Sequence, residues 1–140
     1  MSYQHVLVAV SVSPESHRLI DKAVSIVRPE QGEITLLTLS TDPEIYNYLS
    51  APMLGNLRDV MQEETQLFLD ELQKQAGYPI HRAIIASGEL AQQITALCQK
   101  ENIDLVICGN HNHSFVSKAL CSAKRIVDGS HVDVLLVALS

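Results

Sequence analysis

The chain has 140 residues, with 16 acidic against 10 basic side chains and a net charge of −6. That length fits one domain, and a chain of this size buries about 70% of its unfolded surface without a disulfide or metal staple. With 46% apolar and 19% charged residues it is no disordered or low-complexity protein, and its acidic balance disfavours nucleic acid and anionic membrane surfaces as direct partners.

Three cysteines, Cys98, Cys108 and Cys121, form neither a disulfide framework nor a C-x-x-C pair, which suits a reducing cytoplasm. The amino terminus lacks the basic region and small-residue cleavage site of a signal peptide. No apolar run approaches the roughly 20 residues of a membrane span. A soluble, cytoplasmic domain over residues 1–140 is the expectation.

The elements alternate along the chain. Residues 6–10 are a continuous apolar run of buried-strand length. Ser13-Pro14-Glu15 then reads as a helix start, with serine at the N-cap and proline at the first helical position. Leu19, Ile20, Ala23, Val24 and Val27 mark one helical stripe, which ends near Arg28-Pro29. Gly32 turns the chain into a second strand over residues 34–39.

Residues 41–52 read as irregular, with Pro43 and Pro52 as breakers. Tyr46 and Tyr48 in this stretch read as packing it onto the helix that follows, or as a ligand or partner clamp. A long helix is predicted over residues 54–76, with Leu57, Met61, Phe68 and Leu72 on one face. Its acids, Glu63, Glu64, Asp70 and Glu71, lie mostly off that face. Gly77-Tyr78-Pro79 ends it.

A third strand follows over residues 80–86, and Leu90, Ile94, Leu97 and Cys98 give a third helix. The fourth strand covers residues 105–108 and stops at Gly109. Val116, Ala119, Leu120, Ala123, Ile126 and Val127 give a fourth helix, and residues 132–139 a fifth strand. Strands that are apolar throughout and alternate with helices predict an α/β doubly wound domain, a parallel sheet with helices on both faces. Ligands of such sheets sit at the carboxyl ends of the strands, where strand order reverses. The candidate loops are therefore residues 11–16, 41–52 and 109–115.

The order of elements and several motifs resemble the bacterial universal stress proteins. Val8-Ala9-Val10, Ser13-Pro14-Glu15-Ser16, Lys22-Ala23-Val24-Ser25 and Arg28-Pro29 carry the likeness at the start. Glu63-Glu64-Thr65, Gly77-Tyr78-Pro79, Asp104-Leu105-Val106-Ile107-Cys108-Gly109 and His131-Val132-Asp133 continue it in register. The resemblance implies strand order 3-2-1-4-5, a homodimer, subunit exchange between paralogues, and partners in stress signalling. It also implies a role in surviving growth arrest, DNA damage, and osmotic or oxidative stress.

One branch of that family binds ATP through Gly-x2-Gly-x9-Gly-Ser/Thr after the fourth strand. Glycines there let the backbone approach the phosphates. Gly109 matches the first position, but Asn112, Ser122 and Ala123 stand at the other three. Ser11 stands where family members that bind nucleotide commonly end the first strand with aspartate. The resemblance therefore implies the branch that does not bind ATP, with no cofactor.

Ser11, Gly109, His111, His113 and Lys118 are the candidate ligand or anion site. Residues 105–127 hold no acid but include Lys118, Lys124, Arg125, His111 and His113, a positive island at a helix start. The simpler reading of these lysines and the arginine is a solvated helix face. H-x-H supplies two metal ligands where zinc needs three or four. Ser11, Ser13 and Ser16 resemble a flavin phosphate loop, but Pro14 stands where a glycine should follow and Glu15 beside it would repel the anion. A hydrolase built on Ser11 and His111 lacks both a glycine-flanked elbow and an orienting acid. The chain reads as a non-enzyme.

Val134, Leu135, Leu136, Val137, Ala138 and Leu139 close the chain without a proline or lysine. On an edge strand such a run invites pairing, so these six residues are the expected dimer interface.

Overall fold

The structure is a computed structural model that describes residues 3–10, 15–39, 51–86, 90–111 and 132–139. Its elements are β1 (His5–Ala9), α1 (Ser16–Val27), β2 (Glu33–Leu39), α2 (Ala51–Ala76), β3 (Arg82–Ala86), α3 (Leu90–Glu101), β4 (Leu105–His111) and β5 (Asp133–Leu139). The five strands form one parallel sheet in the order β3-β2-β1-β4-β5. The expected α/β architecture and strand order are both present. The expected fourth helix and the loop with Tyr46 and Tyr48 lie outside the described residues.

Period-two alternation along buried strands divides the core into two clusters. Val6, Val8, Ile34, Leu36, Leu105 and Ile107 face one side. There they meet the α1 stripe of Leu19, Ile20, Ala23, Val24 and Val27, together with Leu69 and Leu72 of α2. Leu7, Leu37 and Val106 face the other side, against Ile94 and Cys98 of α3. Each large aliphatic chain buried this way contributes about 1.5–3 kcal/mol, which is why continuous apolar runs settle as the central strands.

Beyond one-residue shifts at the ends of β1, β2 and β5, four boundaries differ from the sequence expectation. First, α1 begins at Ser16 with Glu15 at the N-cap, so Ser13 is not the cap; Arg18 N donates to the Glu15 carbonyl at 3.0 Å. Second, α2 begins at Ala51, so Pro52 opens the helix rather than breaking the chain. Proline lacks only an N–H that the first turn leaves unused.

Third, β3 begins at Arg82. Fourth, β4 runs past Gly109 to His111. Pairing with β5 overrides the turn character of Gly109-Asn110: Gly109 sits opposite Val137, Asn110 opposite Ala138 and His111 opposite Leu139.

Candidate functional site

The sheet reverses its order between β1 and β4, where a ligand crevice belongs in this architecture. The β1–β4 ladder ends at Val8 opposite Ile107. β4 continues to His111 with β5 as its ladder partner. The paired ends of β4 and β5 thus project beyond β1 on one side of the switch point. On the other side Val10 N donates to the Leu37 carbonyl at 2.8 Å and keeps β1 against β2.

Of the residues expected to bind an anion, Gly109 and His111 belong to β4 rather than to a loop. Their backbones are held extended by β5, which spaces them along a strand instead of curling them around a phosphate. Ser11, His113 and Lys118 lie outside the described residues, as do Asn112, Ser122 and Ala123.

Val134, Leu135, Leu136, Val137, Ala138 and Leu139 all fall in β5, the outermost strand beside β4. Leu135 and Val137 pack on the α1 side of the sheet and Val134 on the α3 side. Residues 134–137 are half-buried and Ala138 is exposed. Arg18, Asp21, Lys22 and Ser25 of α1 line a shallow groove with Val137 and Ala138, so charged side chains flank this edge.

Cys98 and Cys108 are free thiols packed in the α3-side cluster. Burial pushes both up to about 11. Neither is an activated nucleophile at neutral pH. Among the described residues no group of three or more His, Cys, Asp or Glu is placed to hold a metal ion. Among them, too, no helix is long and apolar enough to cross a membrane.

Among the described residues a cluster of ionisable side chains sits at the opposite, amino end of the sheet, and sequence reasoning missed it. His5 opens β1 and is 8% exposed. Its Nε2 lies 2.7 Å from Thr35 Oγ1 and its Nδ1 3.1 Å from the Glu101 carbonyl oxygen. His5 N donates to Asp104 Oδ2 at 3.1 Å, and Asp104 N donates back to the His5 carbonyl at 2.9 Å. Glu33 reaches both His5 and His81, each at 3.9 Å.

Arg82 pairs with the Glu101 carboxylate through Oε1, while the other oxygen, Oε2, is buried without a hydrogen-bond partner. Tyr3 donates to Asp133 Oδ2 at 2.7 Å, and that bond holds the phenol above its ordinary value. These residues are scattered along the chain, so no spacing motif announces them. The one local signal is a histidine at the start of a buried strand.

A family profile described as the Universal stress protein family matches residues 2–138. The chain is 61% identical to universal stress protein C of Escherichia coli strain K12 over 140 residues, 100% of this chain and 99% of that protein. Universal stress protein UspA from Lactobacillus plantarum has a similar solved structure, with a TM-score of 0.77 at 20% identity over 98% of this chain and 99% of that one. A universal stress protein family protein from Arabidopsis thaliana, solved with AMP bound, gives a TM-score of 0.65 at 17% identity over 98% of this chain and 92% of that one. At such identities the solved structures speak for the fold alone.

Proposed function

The chain belongs to the universal stress protein family, and we propose that it is a non-catalytic, ATP-independent pairing module that supports survival of stress in the cytoplasm. The observation that carries this reading is the altered phosphate loop. Asn112, Ser122 and Ala123 replace the two later glycines and the final hydroxyl of the family's ATP-binding pattern. Side chains at the glycine positions keep the backbone N–H groups from closing on phosphate. The β4–β5 pairing through His111 adds to this by keeping Gly109 extended.

The module pairs through β5, with a second copy or with paralogous stress proteins, and presents its remaining surface to partners in stress signalling. Support comes from the strand itself. It is seven residues long, outermost in the sheet, and free of proline and lysine. Natural sheets usually blunt such edges unless the edge is used.

The competing reading is an adenine-nucleotide or anion sensor at the switch point, favoured by the AMP bound to the Arabidopsis relative of the same fold. Calorimetric titration of the purified chain with ATP and with AMP separates the two. The pairing reading expects no saturable heat with either nucleotide. Stoichiometric binding that is lost on Lys118→Glu or His111→Ala overturns it in favour of the sensor.

A further inference from the structure

The amino-end cluster has a property that the pairing reading does not use. Both ring nitrogens of His5 are engaged in a buried setting, with Thr35 fully buried beside it. A carbonyl oxygen only accepts, so the bond to Glu101 makes Nδ1 the protonated nitrogen. In the neutral ring Nε2 is then the acceptor, and the Thr35 hydroxyl donates to it. Proton uptake at Nε2 turns that acceptor into a donor and reverses the Thr35 bond inside the core.

We infer that His5 is a proton-sensitive latch: its neutral ring ties the last turn of α3 to β1 and β2, and protonation, which leaves the Glu101 bond in place, reverses the Thr35 bond and puts a charge in the core, loosening the hold of β2 on the ring. Thr35 holds the latch from β2 and the Glu101 carbonyl from α3. The next residue, Asn102, has φ +54°, a backbone state that asparagine tolerates and that turns the chain out of the helix. Asp104 then fastens the same segment to the His5 and Gln4 backbones.

The groups facing His5 set its response. Burial is the largest influence and disfavours charge on the ring. Glu33 of β2 favours charge, but more than half of its side chain is exposed and its attraction is screened. His81, before β3, stands edge-on at 5.7 Å between ring centroids and opposes a second positive charge. Asp104, before β4, favours it weakly. Glu101, at the end of α3, has its carboxylate engaged by Arg82 of β3.

The balance holds His5 below its ordinary value of 6.5. The unfolded chain then takes up the proton first. The latch's contribution to stability is complete above pH 6.5 and is lost as pH falls from there through the folded value.

The test is a titration of the full chain from pH 8 to pH 5, followed by NMR of imidazole carbons and backbone amides. It is repeated in His5→Gln and His81→Gln. The latch predicts a His5 midpoint below 6.5, with the Thr35, Glu101 and Asp104 amides moving at that same midpoint. His5→Gln abolishes the amide response, and His81→Gln shifts the His5 midpoint upward. His81 is exposed, so that variant keeps the test decisive even where His5→Gln fails to fold. A His5 midpoint at or above 6.5, or amides at those three positions that ignore the His5 titration, overturns the inference.

Discussion

Thr35 Oγ1 stands 2.7 Å from His5 Nε2, so a hydroxyl on β2 completes the bonding of an imidazole on β1. Both residues face the α3 side of the sheet, and Thr35 is fully buried. Thr35→Val keeps the branched shape and leaves the ring nitrogen without its donor. The expected loss is about 1–3 kcal/mol, the cost of an unsatisfied buried polar atom. Urea unfolding at pH 7.5 measures it, with Thr35→Ser as the hydroxyl-bearing control. A valine variant as stable as wild type would mean that the hydroxyl is dispensable there.

Gly32 and Gly77 are both glycines of necessity, for different reasons. A Cβ on Gly32 would lie 2.9 Å from the Tyr3 and Gln4 carbonyl oxygens, both backbone atoms. At Gly77 nothing lies within 4 Å, but φ is +64°. Gly32→Ala should cost about 1–3 kcal/mol through forced contact. Gly77→Ala should cost about 1–2 kcal/mol through conformation alone. Asparagine discriminates between the causes, since it tolerates positive φ but brings more bulk. Thermal melts should place Gly77→Asn above Gly77→Ala, and Gly32→Asn below Gly32→Ala.

The two thiols in the α3-side cluster should be inert in the native state. With both pushed up to about 11, a solution at pH 8 holds about one thiolate in a thousand at either site. Iodoacetamide followed by peptide mapping should find Cys98 and Cys108 unmodified in native protein and fully alkylated in urea. Rapid native labelling of either would contradict their burial.

The β5 edge makes its own prediction. Ala138 is exposed on the outer strand, and a lysine there is a natural edge-blocking residue. Ala138→Lys should weaken pairing at least about tenfold, equal to about 1.4 kcal/mol, while leaving the fold intact. Sedimentation velocity across a dilution series, with circular dichroism beside it, reads both quantities. Undiminished pairing would move the interface elsewhere.

Much of the architecture was legible because its signals are local. The buried runs at Val6 and Ile34 and the stripe from Leu19 to Val27 mark their elements without tertiary knowledge. Errors arose where a partner decides. Gly109-Asn110 has the composition of a turn, yet β5 holds it as strand. Pro52 has the chemistry of a breaker, yet a helix accepts it in the first turn.

The candidate site was less legible. Gly109 and His111 read as loop residues in the sequence, but pairing with β5 makes them strand. His5, Thr35, His81, Glu101 and Asp104 share no spacing, and only the folded sheet assembles them.

Native mass spectrometry of the freshly purified chain tests the central claim most directly, because one spectrum reports pairing and nucleotide together. The account predicts a species at twice 15.4 kDa with no added nucleotide mass. A single-chain mass at micromolar concentration, or a dimer carrying an adenine nucleotide on each chain, would contradict it.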